Sequence, residues 1–138
     1  MFALEISPGF LKLLGELVAR ENLGRTAVLA ATHTDTNLPA GVPVDVALLI
    51  DVYHHVEKPI TYMGKLRAQM RPGATLVVID FHRDPERIWS HPPEWVLEHV
   101  RAGKEVFQSE IEQAGFVLEE EVVIESMREN YMLVFRNP

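Results

Sequence analysis

The chain has 138 residues, 47% of them apolar and 24% charged, with 20 acidic against 13 basic side chains and no cysteine. This composition suits one globular domain over residues 1–138, large enough to bury a core, and it excludes disulfides, thiolate metal sites and cysteine nucleophiles. A net charge of -7 argues against nucleic acid as partner, because phosphate backbones demand clustered Lys and Arg. The apolar runs are strand-sized, which argues against a membrane span. No basic, cleavable leader precedes the first strand-like residues, so the cytoplasm is the expected compartment.

In chain order, Phe2 to Ile6 reads as a short strand that carries Glu5 at its end. Ser7 and Pro8 suit a helix cap and first turn, and Phe10, Leu13, Leu14, Leu17 and Val18 follow at helical spacing. Gly24 is the expected stop. Thr26 to Ala31 is a second strand, and Thr32 to Pro43 a loop rich in Thr, Asn, Pro and Gly. Val44 to Ile50 is a third strand whose unbroken apolar run suits burial on both faces. Pro59 to Met70 is a helix with Ile60, Met63, Leu66 and Met70 on one face. Arg71-Pro72-Gly73 is a turn, and Ala74 to Ile79 the fourth strand. Beyond a polar excursion from Arg83 to Pro93, helices are expected over Glu94 to Val100 and Glu105 to Ala114, with Gly115 ending the second. Phe116 to Glu125 and Asn130 to Phe135 then read as an antiparallel hairpin. Strands alternating with helices over short links predict a doubly wound, mostly parallel sheet.

The chemistry gathers at two strand ends. Val44 to Ile50 runs into Asp51, Tyr53, His54 and His55, and the strand at Thr75 to Asp80 runs into His82. Open α/β sheets bind ligands at the carboxyl ends of their strands. Imidazole titrates near neutrality, so His54 or His55 suits a proton-moving role, and adjacent turn residues point apart, which leaves one of them facing a pocket. Asp51 reads equally as a pocket acid or a turn residue. His82 is placed to line the same cavity, and Tyr53, Trp89 and Trp95 either wall a substrate pocket or pack the excursion against the sheet. No metal is expected: a set of Asp51, His54 and His82 comes from separate loops without a dedicated spacing. Arg83 and Arg87 are either an anion contact or solvated loop charges.

The order of these elements and their motifs resembles the class I S-adenosylmethionine-dependent methyltransferases over nearly the whole chain. "FALEISPGFL" resembles the family's second strand, "DVALLIDVYHHVEKP" its fourth-strand motif, and "LRAQMRPGATLVVIDFHR" its helix, turn and fifth strand. "EIEQAGFVLEEE" and "NYMLVFR" resemble the sixth and the antiparallel seventh strands. The resemblance implies a three-layer Rossmann-like α/β sandwich with a C-terminal antiparallel hairpin. It implies S-adenosylmethionine as cofactor, with Glu5 on the ribose hydroxyls beside Ile6, Asp35 near the adenine and Asp51 beside the pocket. Beside it, the strand-end reading offers His54 or His55 as the catalytic base, and Tyr53 and His82 as contacts to a small-molecule substrate. The bland alternatives are a surface acid for Glu5 and a turn residue for Asp35.

One part of the family pattern is missing. Its first strand and glycine-rich loop would precede Phe2, and no G-x-G stands anywhere in the chain. That loop holds the methionine part of the cofactor, because only glycine lets backbone approach so closely. The sequence therefore reads as the family fold lacking its first βα unit, and weak cofactor binding follows. Two functions are expected: methyl transfer to a small molecule once the missing unit is supplied, or a non-catalytic remnant that binds itself or a partner. The missing strand belongs between Phe2 to Ile6 and Val44 to Ile50. Its absence leaves two edges that either close on each other or pair with another copy, so a homodimer or higher oligomer is expected.

Overall fold

Apolar runs and turn residues place the elements much as their periodicities demand, in a computed structural model that describes residues 1–138. Strand β1 is Phe2–Glu5, helix α1 Pro8–Arg20, β2 Ala27–Ala30 and β3 Val44–Ile50. Helix α2 is Pro59–Gln69, β4 Met70–Phe81, α3 Trp95–His99 and α4 Lys104–Gln113, followed by β5 Val117–Val122 and β6 Asn130–Arg136. Pro8 and Pro59 open their helices, where a missing N–H costs nothing. Gly115, at φ +98, ends α4 as expected.

Three local expectations are corrected. Helix α1 ends before Gly24, and the left-handed residue that turns the chain is Asn22, at φ 52. Ser7 occupies the N-cap without a side-chain hydrogen bond; the Glu5 carboxylate accepts from the Ile6 and Ser7 amides just before the helix. Arg71-Pro72-Gly73 does not separate α2 from β4 but lies inside the strand. Between Val44↔Met70 and Val46↔Thr75, one residue of β3 stands against four of β4, and the surplus bulges out. Asn137 closes that bulge: its Nδ2 donates to the carbonyls of Met70 (3.0 Å) and Arg71 (3.1 Å).

The strands form two sheets, where a single one was expected. β1 and β2 pair in parallel, and a separate four-stranded sheet has the order β3-β4-β6-β5. Within it β3 and β4 are parallel, while β4–β6 and β5–β6 are antiparallel. β1 pairs only with β2 and β3 only with β4, so each keeps an unpaired edge, and the two have not closed on each other. Strand β3 is therefore not buried on both faces. Ala47 and Leu49 pack toward the core, but Val46, Leu48 and Ile50 are 63%, 57% and 50% exposed. The core cluster of 18 buried residues lies wholly between Tyr53 and Phe135. Met63 and Leu66 of α2 and Phe107 and Ile111 of α4 meet Leu76 and Val78 of β4 and Leu133 and Phe135 of β6 there. Helix α1 buries no residue, and Phe10, Leu13 and Leu17 of its apolar stripe stay exposed.

Candidate functional site

At the carboxyl ends of β3 and β4 the backbone builds a cradle around one carboxylate. Strand β3 stops because Asp51 takes a left-handed conformation, φ 51, while its amide still donates to Ile79 O. A turn of 3-10 helix, Tyr53–His55, follows. It brings His54 onto Asp80, the buried acid near the end of β4. His54 Nδ1 lies 2.7 Å from Asp80 Oδ1, and the His54 amide donates to Asp80 Oδ2 at 3.0 Å. The Phe81 amide adds a third bond, 2.8 Å, to Oδ1. Asp80 is thus occupied on both oxygens, and the His54 side chain is held 2% exposed. His54 Nε2, also buried, has no hydrogen-bond partner.

Two exposed rings stand beside this dyad. His55 follows on the same turn, its ring centroid 4.1 Å from that of His54. His99, at the end of α3, lies 5.1 Å from His54 and 4.8 Å from His55. Trp95, one helical turn before His99, stacks on its ring at 4.4 Å and on His91 at 4.0 Å, and packs edge-on against Phe81. Burial, then the neighbouring imidazoles, hold His55 and His99 below the ordinary histidine range. Sequence reading missed His99 and His91. They lie far along the chain from His54 and belong to no motif, and only the fold of the excursion brings them in.

The other predicted residues are dispersed. Asp51 is half-buried, with Oδ1 accepting from Asn130 Nδ2 at 2.7 Å. Burial and then the charge of Asp80 push its carboxyl above the usual range. Glu5 ends β1, and its Oε1 accepts from the amides of Ile6 (2.7 Å) and Ser7 (2.8 Å). Ile6 is exposed. Asp35 makes a turn to the Asn37 amide and pairs with Lys65 at 2.8 Å; these bonds draw its carboxyl below its ordinary value. No hydrogen bond joins Glu5 or Asp35 to the histidine group.

Two assignments need correction. Tyr53 walls no pocket: it is fully buried, edge-on to Phe107 at 5.1 Å, and its hydroxyl donates to Glu110. The phenol belongs to the core, where Glu110 accepts from its hydroxyl and the Arg101 guanidinium, itself paired with Glu110, lies over its ring. His82 does not share a cavity with His54. It lines a separate cleft of about 620 Å³ with Arg87, Trp89, Lys104, Glu121 and Tyr131. Arg83 is structural, donating to the carbonyls of Leu97 and Val100 at the end of α3, which is where a cation opposes the helix dipole.

Parallel strands that deliver acids and imidazoles to their carboxyl ends define an α/β protein of the cofactor-binding kind. The particular family follows from its sequence: a family model described as a methyltransferase domain matches residues 1–78. That is more than half of the chain, and the chain belongs to this family. No curated protein matches it. Among solved structures it is similar to a SAM-dependent methyltransferase from Aquifex aeolicus, at TM-score 0.84 and 20% identity, covering 99% of this chain and 68% of that one. An O-methyltransferase family 2 protein from Planctomyces limnophilus, solved with apigenin, matches at TM-score 0.72 and 18% identity, over 99% of this chain and 42% of its own. The [4+2]-cyclase SpnF matches at TM-score 0.77 and 12% identity, over 99% of this chain and 65% of its own. The chain thus spans less than half of the O-methyltransferase and about two thirds of the other two. These likenesses establish the Rossmann-like methyltransferase fold, and the cyclase among them is a reminder that a fold does not set a reaction.

Proposed function

We propose that this chain serves methyl transfer from S-adenosylmethionine to a small molecule, and that the backbone cradle for the methionine half of the cofactor comes from outside residues 1–138. The observation that carries the reading is Glu5. Two amides fix its Oε1 at the end of β1, while Oε2 takes no bond from the chain and is free to accept ribose hydroxyls. That open carboxylate oxygen suits the adenosine half, and the family resemblance adds Asp35 and Asp51 as further candidates. The methionine half does not, since no glycine-rich turn joins a strand to a helix anywhere in the chain. Bound S-adenosylmethionine supplies an electrophilic methyl, and alignment of the acceptor supplies much of the rate. Acceptor-side chemistry is assigned to the exposed rim of the histidine group at His55, with His54 held in one orientation by Asp80.

The test is amide chemical-shift titration of the chain with S-adenosylmethionine, alone and as Glu5→Ala. Binding with a dissociation constant on the order of 1 mM is expected, centred on β1 and abolished in the variant. Low-micromolar affinity would show that no outside cradle is needed, and shifts indifferent to Glu5 would remove the reading. A second reading, a non-catalytic chain that binds another copy of itself, is favoured by the unpaired edges of β1 and β3 and by exposed Val46, Leu48 and Ile50.

A further inference from the structure

We propose that His54, His55 and His99 form a binding site for a divalent late first-row transition ion, Zn²⁺ foremost, with one coordination position left open. One ring nitrogen from each residue lies within 4.8 Å of the others. A tetrahedral ion with Zn–N bonds of 2.0–2.1 Å needs its ligand nitrogens about 3.3 Å apart. The difference is small, and His55 and His99, both exposed, can close it by side-chain rotation.

His54 is what separates this group from a chance cluster. Its Nδ1 faces Asp80 Oδ1 at 2.7 Å; an ionised carboxylate only accepts, so the neutral ring places its hydrogen on Nδ1 and its lone pair on Nε2. That nitrogen is buried and has no partner. A buried polar atom left unpaired is rare in native proteins and calls for an explanation, and a metal ion supplies one. A histidine that donates its second nitrogen to a carboxylate is also the usual arrangement behind metal-bound imidazole, since it fixes the tautomer and makes the ligand more basic. Asp80 is saturated by His54 and Phe81, so it orients a ligand without being one. Trp95, stacked on His99 and braced by Phe81, steadies the third ring.

Ligand type sets the metal class. Three neutral imidazoles with no inner carboxylate suit Zn²⁺, Co²⁺, Ni²⁺ or Cu²⁺ and disfavour Mg²⁺ and Ca²⁺, which demand oxygen. Three protein ligands on a solvent-facing rim leave room for water or for the hydroxyl of a small molecule. The site stands on the three rings alone, whatever reaction the chain serves.

The experiment uses the full chain without an affinity tag, stripped by a chelator and titrated with Zn²⁺ by calorimetry and with Co²⁺ by visible absorption. One equivalent should bind with a dissociation constant on the order of 1 µM, and Co²⁺ should give the intense bands of a tetrahedral or five-coordinate site. His55→Gln and His99→Gln, both at exposed positions, should melt like the parent without metal and bind at least tenfold more weakly. His33→Gln should bind as the parent does. Millimolar affinity in the parent, or unchanged binding in the His55→Gln/His99→Gln double variant, would overturn the assignment.

Discussion

Asp51 and Asp80 stand at the ends of the adjacent parallel strands β3 and β4, each just past the register pair Ile50↔Ile79, yet they meet opposite conditions. Asp80 accepts three hydrogen bonds. Asp51 accepts one, from Asn130, and sits in a left-handed conformation that Asn adopts at least as readily. Burial, followed by repulsion from Asp80, raises the Asp51 carboxyl above its ordinary 3.8. A raised folded-state value means that the folded chain holds this proton more tightly than the unfolded chain does. Ionising Asp51 therefore costs stability at neutral pH, and the cost fades as pH falls through the folded-state value toward 3.8. Asp51→Asn should accordingly stabilise the chain at pH 7 by roughly 0.5 kcal/mol, with the gain shrinking in acid, as urea titrations at several pH values would measure. A loss of stability at neutral pH would show that the charge itself is needed by the fold.

Among the elements, β4 shows where sequence reading reaches its limit. Arg71-Pro72-Gly73 carries every local sign of a turn, and a turn it is, but inside a strand. The ladder to β3 resumes beyond it, and no local signal tells a bulge from a boundary. What decides is Asn137, near the far end of the chain, buried and bonded to the carbonyls of Met70 and Arg71. Asn137→Ala leaves those carbonyls without a partner and should destabilise by about 2 kcal/mol, read as a lower midpoint with unchanged slope in denaturant. Little or no change would mean that the bulge holds itself. The elements with strong periodicity or a hard stop, β3, α2, α4 and β6, were legible in the sequence within a residue or so. The histidine group was legible by half: His54 and His55 follow a strand end, whereas His99 arrives on a short helix whose placement depends on tertiary packing.

For the whole molecule the decisive feature is the division of the sheet. Fully burying a Val, Leu or Ile side chain is worth roughly 1.5–3 kcal/mol, and Val46, Leu48 and Ile50 forgo much of it on β3. With two unpaired strand edges nearby, self-association should follow. Sedimentation at micromolar concentration should find a dimer or larger species that Leu48→Lys returns to monomer, while a compact parental monomer would count against it. The division has an evolutionary side as well. No side chain of residues 1–31 belongs to the core cluster or packs against it. Drift at Val28 or Leu29 is therefore invisible to the packing of the larger unit, which can neither reward nor purge it. Substitutions there act on the surface of β1, α1 and Glu5 and leave that core as it is.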